Sequence, residues 1–193
     1  MVFSEIAQYF QYNSPLILTY FFISAGALVL NRLTGGLSNA LIFSSYRSSL
    51  LNPMTYVRLV THIFGHVDTV HFIGNFSVIL LVGPLLEEKF GTNDLLIMIL
   101  IVAVVTGLVC RLILRDKCIL GASGVVYMLI MMSSFVNVVQ YKIPLTLILV
   151  FFCYVGKEIA DSLSKKDNIG HSVHILGAVL GCIFGFAYTY QMF

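Results

Sequence analysis

Tryptophan is absent and charge is scarce: Asp, Glu, Lys and Arg make up 10% of the 193 residues, with a formal net charge of +2. So small an excess, with no basic stripe interleaved with aromatics, excludes nucleic acid as a partner. Cysteine is confined to Cys110, Cys118, Cys153 and Cys182 with no C-x-x-C pair. A zinc centre or redox couple is therefore unsupported, and the four are expected to be free, small and buried. Residues 1–15 contain no Lys or Arg, so the basic start of a cleavable signal peptide is lacking and the first apolar segment is expected to be retained. No internal repeat or low-complexity tract appears.

What the chain has in abundance is apolar surface: 59% of its residues are hydrophobic and its mean hydropathy is +0.95. That exceeds the apolar share of roughly half found in soluble domains. Apolar windows recur at the ~20-residue length that crosses ~30 Å of hydrocarbon. Six spans are expected, at about 15–32, 69–88, 93–113, 122–139, 143–161 and 171–190. They are too long and continuous for alternating barrel strands. The expected fold class is an all-α membrane protein, one domain over 1–193 with a lead at 1–14 and a core at about 15–190. In the lead, Phe3, Ile6, Tyr9 and Phe10 can form one face of a short interfacial helix. The stretch 33–67 is too apolar for a solvated loop and is expected to lie partly in the interface or against the bundle.

Polar and ionisable groups inside spans are costly, so they mark candidate functional sites. Three stretches stand out. His62, His66, His71 and Asn75 lead into the second span; Gly121-Ala122-Ser123-Gly124, with Tyr127, opens the fourth; His171 and His174, followed by Gly177, Gly181 and Gly185, open the sixth. Small residues alone often do no more than line helix crossings. A serine at a helix start, however, has its Oγ and neighbouring N–H groups at the positive end of the macrodipole, where an oxyanion is stabilised. Its hydroxyl needs an adjacent base. His171 and His174 share roughly one face, and the glycine stripe that follows favours His174, because it lets that helix approach another backbone closely. His71 and Asn75, four apart, lie on one helical face and can both donate toward a developing negative charge. No cysteine or carboxylate pair completes a metal site with the histidines, so none is expected.

Together and in this order, the three stretches resemble the rhomboid intramembrane proteases. That family's pattern reads H-x-x-x-x-H-x-x-x-N, then G-x-S-G with a tyrosine four residues on, then H-x-x-G-x-x-x-G. Here these are His66, His71 and Asn75; Gly121, Ser123, Gly124 and Tyr127; and His174, Gly177 and Gly181. The resemblance implies a six-helix core and a Ser123–His174 dyad with no third acidic member. It implies an oxyanion site of His71, Asn75 and the Ser123 backbone N–H, and a Tyr127 ring against the catalytic imidazole. His66 and Gly121 would support the site. His62 and Glu87 match positions linked by structural hydrogen bonds, Arg58 matches a loop arginine, and Gly177 and Gly181 serve packing. Val57 stands where the family often has tryptophan, and Val173 where it usually has alanine.

The implied activity is peptide-bond hydrolysis in single-span membrane substrates, without cofactor, by a multi-pass protein of the cell membrane; oligomeric state is not implied. Two alternatives differ in class. A rhomboid-like pseudoprotease would grip membrane clients without cutting, yet such relatives typically lack the serine or the histidine. A transporter with histidine proton relays would show inverted halves or paired broken helices, which this chain does not.

The basic residues bear on orientation. Nine of them, from Arg32 to Lys166, fall on one side, with Lys89 and Lys142 on the other. The positive-inside rule would make the first side cytoplasmic, whereas the resemblance implies that it faces outward and both termini lie in the cytoplasm. The family reading predicts that a reporter fused after Phe193 is cytoplasmic; a reporter accessible from outside would reverse it.

Overall fold

In hydrocarbon an apolar run of about twenty residues satisfies its backbone by closing into a helix, and helices dominate this chain. The computed structural model describes residues 9–113, 118–138, 142–164 and 169–190. In chain order it forms α1 (Pro15–Leu33), α2 (Leu37–Leu41), β1 (Ser45–Tyr46), α3 (Met54–Thr61), a 3₁₀ turn at His62–Phe64, α4 (Thr69–Phe90), α5 (Thr92–Leu112), β2 (Cys118–Ile119), α6 (Ser123–Ser133), α7 (Leu145–Val150), a π-helical turn at Phe151–Val155, α8 (Gly156–Ser164) and α9 (Ile169–Thr189). Among the described residues four helices, α1, α4, α5 and α9, are long and apolar enough to cross a membrane, and they coincide with the first, second, third and sixth expected spans. Phe22, Val29, Leu81, Leu85, Ile97 and Ile183 are exposed on them, a surface that lipid solvates and water does not. The protein is an integral membrane protein.

The fourth and fifth expected spans take other forms. Residues 122–139 yield α6, only 11 residues long, or roughly 17 Å at 1.5 Å per residue. The helix tightens where Ser134 N–H and Phe135 N–H bond three residues back, to Met131 and Met132, and turns follow to residue 137. The segment 143–161 becomes α7, the π turn and α8 in succession. Of the expected N-terminal helix, Phe3 and Ile6 lie outside the described residues, while Tyr9 and Phe10 are exposed and not helical. Among the four free cysteines Cys110 is buried and Cys182 partly so, but Cys118 and Cys153 are exposed. Cys118 sits on the short surface strand β2, and Cys153 on the outer side of the π turn, where apolar surface needs no burial in protein.

The stretch between α1 and α4 is folded against the bundle. Several of its polar groups are bound internally: buried Arg58 donates to Ser48 Oγ (2.8 Å) and to the Leu41 carbonyl (3.3 Å), with its guanidinium 4.3 Å from the Tyr46 ring centre. Buried Arg111, at the end of α5, donates to the Ser48 carbonyl at 2.6 Å. β1 pairs antiparallel with β2, Ser45 opposite Ile119, which ties this stretch to the segment entering α6. His62 donates from Nε2 to the Ala103 carbonyl on α5 (2.9 Å), and its own carbonyl receives the Gly121 N–H (2.9 Å). Glu87, near the end of α4, accepts the Leu16 and Ile17 N–H groups of α1 (3.0 and 3.1 Å) and the Thr92 hydroxyl (2.8 Å). His62 and Glu87 are thus both structural, but each bonds a different partner and not the other.

At the centre stands α6, with Val125, Met128, Leu129, Met131 and Met132 fully buried, and its most extensive contact is with α9. A Cβ on Gly177 would lie 2.1 Å from the Gly124 carbonyl oxygen, and one on Gly181 2.5 Å from that of Met128. The two helices therefore touch backbone to backbone, as a small-residue stripe permits. Gly74, by contrast, faces open space. Gly177→Ala is expected to cost about 1–3 kcal/mol through overpacking, and Gly74→Ala to be neutral or stabilising by up to about 1 kcal/mol. Thermal unfolding in detergent checks this; equal midpoints for the two variants would show that the crossing is not tight.

Candidate active site

The site is assembled from the first turns of α4, α6 and α9, with a side chain from α8. α4 begins at Asp68, whose carboxylate caps the helix by accepting the His71 N–H at 2.8 Å; this is the usual role of aspartate at that position. The cap sets the register that puts His71 and Asn75 one above the other. Asn75 is oriented from behind. The fully buried His66 donates from Nδ1 to the Phe64 carbonyl (3.2 Å), so its Nε2 accepts from Asn75 Nδ2 (3.1 Å). That leaves the second N–H of the Asn75 amide available.

Facing this pair is the turn before α6. Gly121 has φ +121°, and a Cβ there would lie 2.7 Å from His71 Cε1, 2.9 Å from His71 Nε2 and 3.7 Å from Asn75 Nδ2. Both the backbone conformation and the space require glycine. The His71 ring and Asn75 amide therefore lie directly against the turn that leads into Ser123. Ala122 caps α6 without a side-chain bond, so the first N–H groups of the helix have no internal partner. A cavity of about 280 Å³ is lined by Leu120, Gly121, Ser123, Gly170, His171 and Val173 among others. A larger cleft of about 670 Å³, between α5 and α9 at Asp94, Met98 and Tyr188, shares no residue with it.

His174 enters from α9, one turn before the Gly177–Gly124 contact. Its ring stacks on Tyr127, one turn along α6 from Ser123, with centroids 4.4 Å apart and planes 9° from parallel. Val173, in the position usually held by a small residue, packs against Gly124, where an added Cβ would lie 3.2 Å from the valine Cγ1. The extra bulk of Val173 is thus taken up by a glycine on α6. Among the described residues no hydrogen bond joins Ser123 Oγ to His174; such bonds are often long before substrate binds.

One group was missed by sequence reasoning. Glu158, on α8 and 6% exposed, accepts the Tyr127 hydroxyl on Oε1 and contacts His171 Nδ1 (2.5 Å) and His174 Nδ1 (3.1 Å) through Oε2. The resemblance implies a dyad with no third acidic member, and beside His174 the structure places this one carboxylate, 3.1 Å from Nδ1. The signal was there to be read: Glu158 is an ionisable residue inside the fifth expected span, where charge is costly.

Comparison with known proteins agrees with the family resemblance. The family model described as the Rhomboid domain matches residues 53–191. The chain is 24% identical over 132 residues to the rhomboid protease GlpG of Haemophilus influenzae, covering 67% of this chain and 68% of that protein. It is 30% identical over 151 residues to the rhomboid-related protein 1 of Caenorhabditis elegans, covering 70% and 40%. Against the rhomboid protease GluP of Bacillus subtilis it is 26% identical over 189 residues, covering 94% of this chain but 36% of that one.

Electrostatics sustains the Asn75 relay. Burial pushes His62 and His66 down from 6.5 to about 4; for His66 the neighbouring His71 adds to the effect. Both imidazoles are therefore neutral in the folded protein at neutral pH, which leaves His66 Nε2 free to accept. Unfolded, each takes up a proton near 6.5. Stability from this source is complete above 6.5, declines as pH falls toward 4, and is level below, by roughly 3 kcal/mol for each group. The thermal midpoint in detergent is expected to fall across that window, and His66→Gln to flatten the fall. A His66→Gln profile parallel to the wild type would contradict the assignment.

Proposed function

The chain belongs to the rhomboid family, and from that premise we propose that it is an intramembrane serine endopeptidase with Ser123 as nucleophile and His174 as general base. The observation that carries the reading is the backbone contact of Gly177 with Gly124. It brings the His174 ring onto Tyr127, one helical turn from Ser123. With the shorter α6 and the run from α7 to α8 counted beside the four long helices, the bundle would have six helical segments. The protein would reside in the cell membrane, and its substrates would be single-span membrane proteins.

In the reaction His174 Nε2 takes the Ser123 proton as Oγ attacks the scissile carbonyl carbon. The oxyanion that forms is met by Asn75, His71 and the Ser123 N–H at the start of α6. Collapse of the intermediate breaks the C–N bond, and His174 returns the proton to the leaving amine. Water, activated in turn by His174, then releases the acid from the acyl-enzyme. The cavity lined by Ser123, Gly121 and His171 is a route for that water. A helical substrate hides its carbonyls in its own hydrogen bonds, so cleavage is favoured in a segment that unwinds easily.

Purified protein is expected to cleave a single-span model substrate in liposomes and to be labelled at Ser123 by a fluorophosphonate. Ser123→Ala and His174→Ala lose both activities, while His171→Ala keeps a larger share of turnover than His174→Ala. Asn75→Ala is expected to lower kcat by ~10- to 10³-fold, the loss typical of one oxyanion donor. Substantial cleavage by Ser123→Ala, or no labelling of the wild type, would sink the proposal.

A further inference from the structure

A buried carboxylate is retained only where hydrogen bonds and charge partners offset its desolvation. The protein has two such cases among its described residues with contrasting surroundings. Glu87 bonds the first N–H groups of α1 and Thr92, which is a scaffold role. Among the described residues Glu158 bonds no helix terminus. Its named partners are Tyr127, His171 and His174, and all three belong to the two helices that carry the nucleophile and the base.

The His174 ring supplies the second observation. Its Nδ1 is buried and makes no hydrogen bond, although Glu158 Oε2 lies 3.1 Å away. The distance is right but the N–H direction is off-line, and His171 Nδ1 holds the same oxygen at 2.5 Å. For Nε2 to act as base, Nδ1 must carry the proton, and a buried N–H without an acceptor is costly. Tyr127 meanwhile stacks on the His174 ring and donates its hydroxyl to Glu158 Oε1. One residue thus registers both the ring and the carboxylate.

We propose that Glu158 is a positioning residue of this site, whose Oε2 accepts Nδ1–H of His174, fixes the tautomer with Nε2 as base, and stabilises the imidazolium as it forms. The inference rests on the protease reading above. Through the reaction the Ser123 proton moves to Nε2 and on to the leaving amine; Nδ1 keeps its proton and Glu158 stays ionised. The off-line resting contact improves as His174 becomes charged, so the gain falls on the transition state and is read in kcat more than in KM.

The test uses the full chain in detergent, with Glu158→Gln and Glu158→Asp, scored by cleavage of a single-span model substrate, thermal midpoint, and ¹⁵N-histidine NMR with His174 identified by difference from His174→Ala. Glu158→Gln is expected to lower kcat on the order of 10²- to 10⁴-fold with KM little changed, and to shift the His174 Nδ1–H signal. Glu158→Asp recovers part of the loss. Wild-type kcat in a folded Glu158→Gln protein would overturn the proposal. So would a loss of activity that only follows a lowered midpoint and is not restored by aspartate. Should Glu158→Gln not fold, the wild-type spectrum decides: a His174 ring protonated at Nδ1 upholds the anchoring, and one protonated only at Nε2 refutes it. Wild-type protein that neither cleaves nor labels at Ser123 would instead remove the protease reading, and the same spectrum would still separate an anchored His174 from an unanchored one.

Discussion

The rest of the structure depends on the contact between α6 and α9. Lipid tails are as apolar as the side chains they meet, so helices in a membrane gain little by hydrophobic burial and associate where backbones fit closely. Gly177 against Gly124, Gly181 against Met128 and Gly185 against the Phe135 ring make that fit along three turns. The crossing fixes the rotation of α9, and the rotation turns His174 onto Tyr127. With larger residues in the stripe the helices would separate, and the ring would lose its place over the turn that follows Ser123. Packing and chemistry are here one constraint.

A second consequence of the low-dielectric surroundings is that polar groups are bound inside the protein or sit at its ends. The stretch between α1 and α4 illustrates this. Arg58 and Arg111 converge on Ser48, and Arg32 donates to Thr69 Oγ1. These three cations belong to the basic set whose one-sided distribution argues for a cytoplasmic location. Being engaged within the fold, they are weaker evidence for orientation than free loop charges. The conflict between the charge bias and the family topology is thereby reduced in physical terms.

Much of the architecture was legible because its cause is local. Four runs long enough to cross became α1, α4, α5 and α9, and the spacing of Gly177, Gly181 and Gly185 read as a crossing surface. His71 and Asn75 sit four apart, so helical geometry alone brought them together. What the sequence hid depends on tertiary contacts. The shortness of α6 arises where bonding tightens at Ser134 and Phe135, and the run turns apolar again just beyond the Ser133–Ser134 pair. The separate duties of His62 and Glu87 are set by Ala103 and by the amides of α1, both remote in sequence. Glu158 stands out in sequence as a charge inside an expected span, but nothing in a linear pattern says that α8 delivers it, from sixteen residues before His174, to 3.1 Å from the imidazole Nδ1.

These features bear on how a hydrolytic site survives in hydrocarbon. Each polar group that faces the turn before α6 is held by a second group behind it: Asn75 by His66, His66 by the Phe64 carbonyl, and His71 through the Asp68 cap on its backbone. On the proposed mechanism, a donor fixed in this way would need little reorganisation when charge appears, and in a site of low dielectric such pre-orientation is where most electrostatic stabilisation arises. His174 would be the exception if it had only a stacked ring for support, because stacking fixes the plane of an imidazole but not which nitrogen carries the proton. A carboxylate at Nδ1 removes that ambiguity. On that proposal Glu158 would serve His174 as His66 serves Asn75, by fixing the orientation of the side chain beside it.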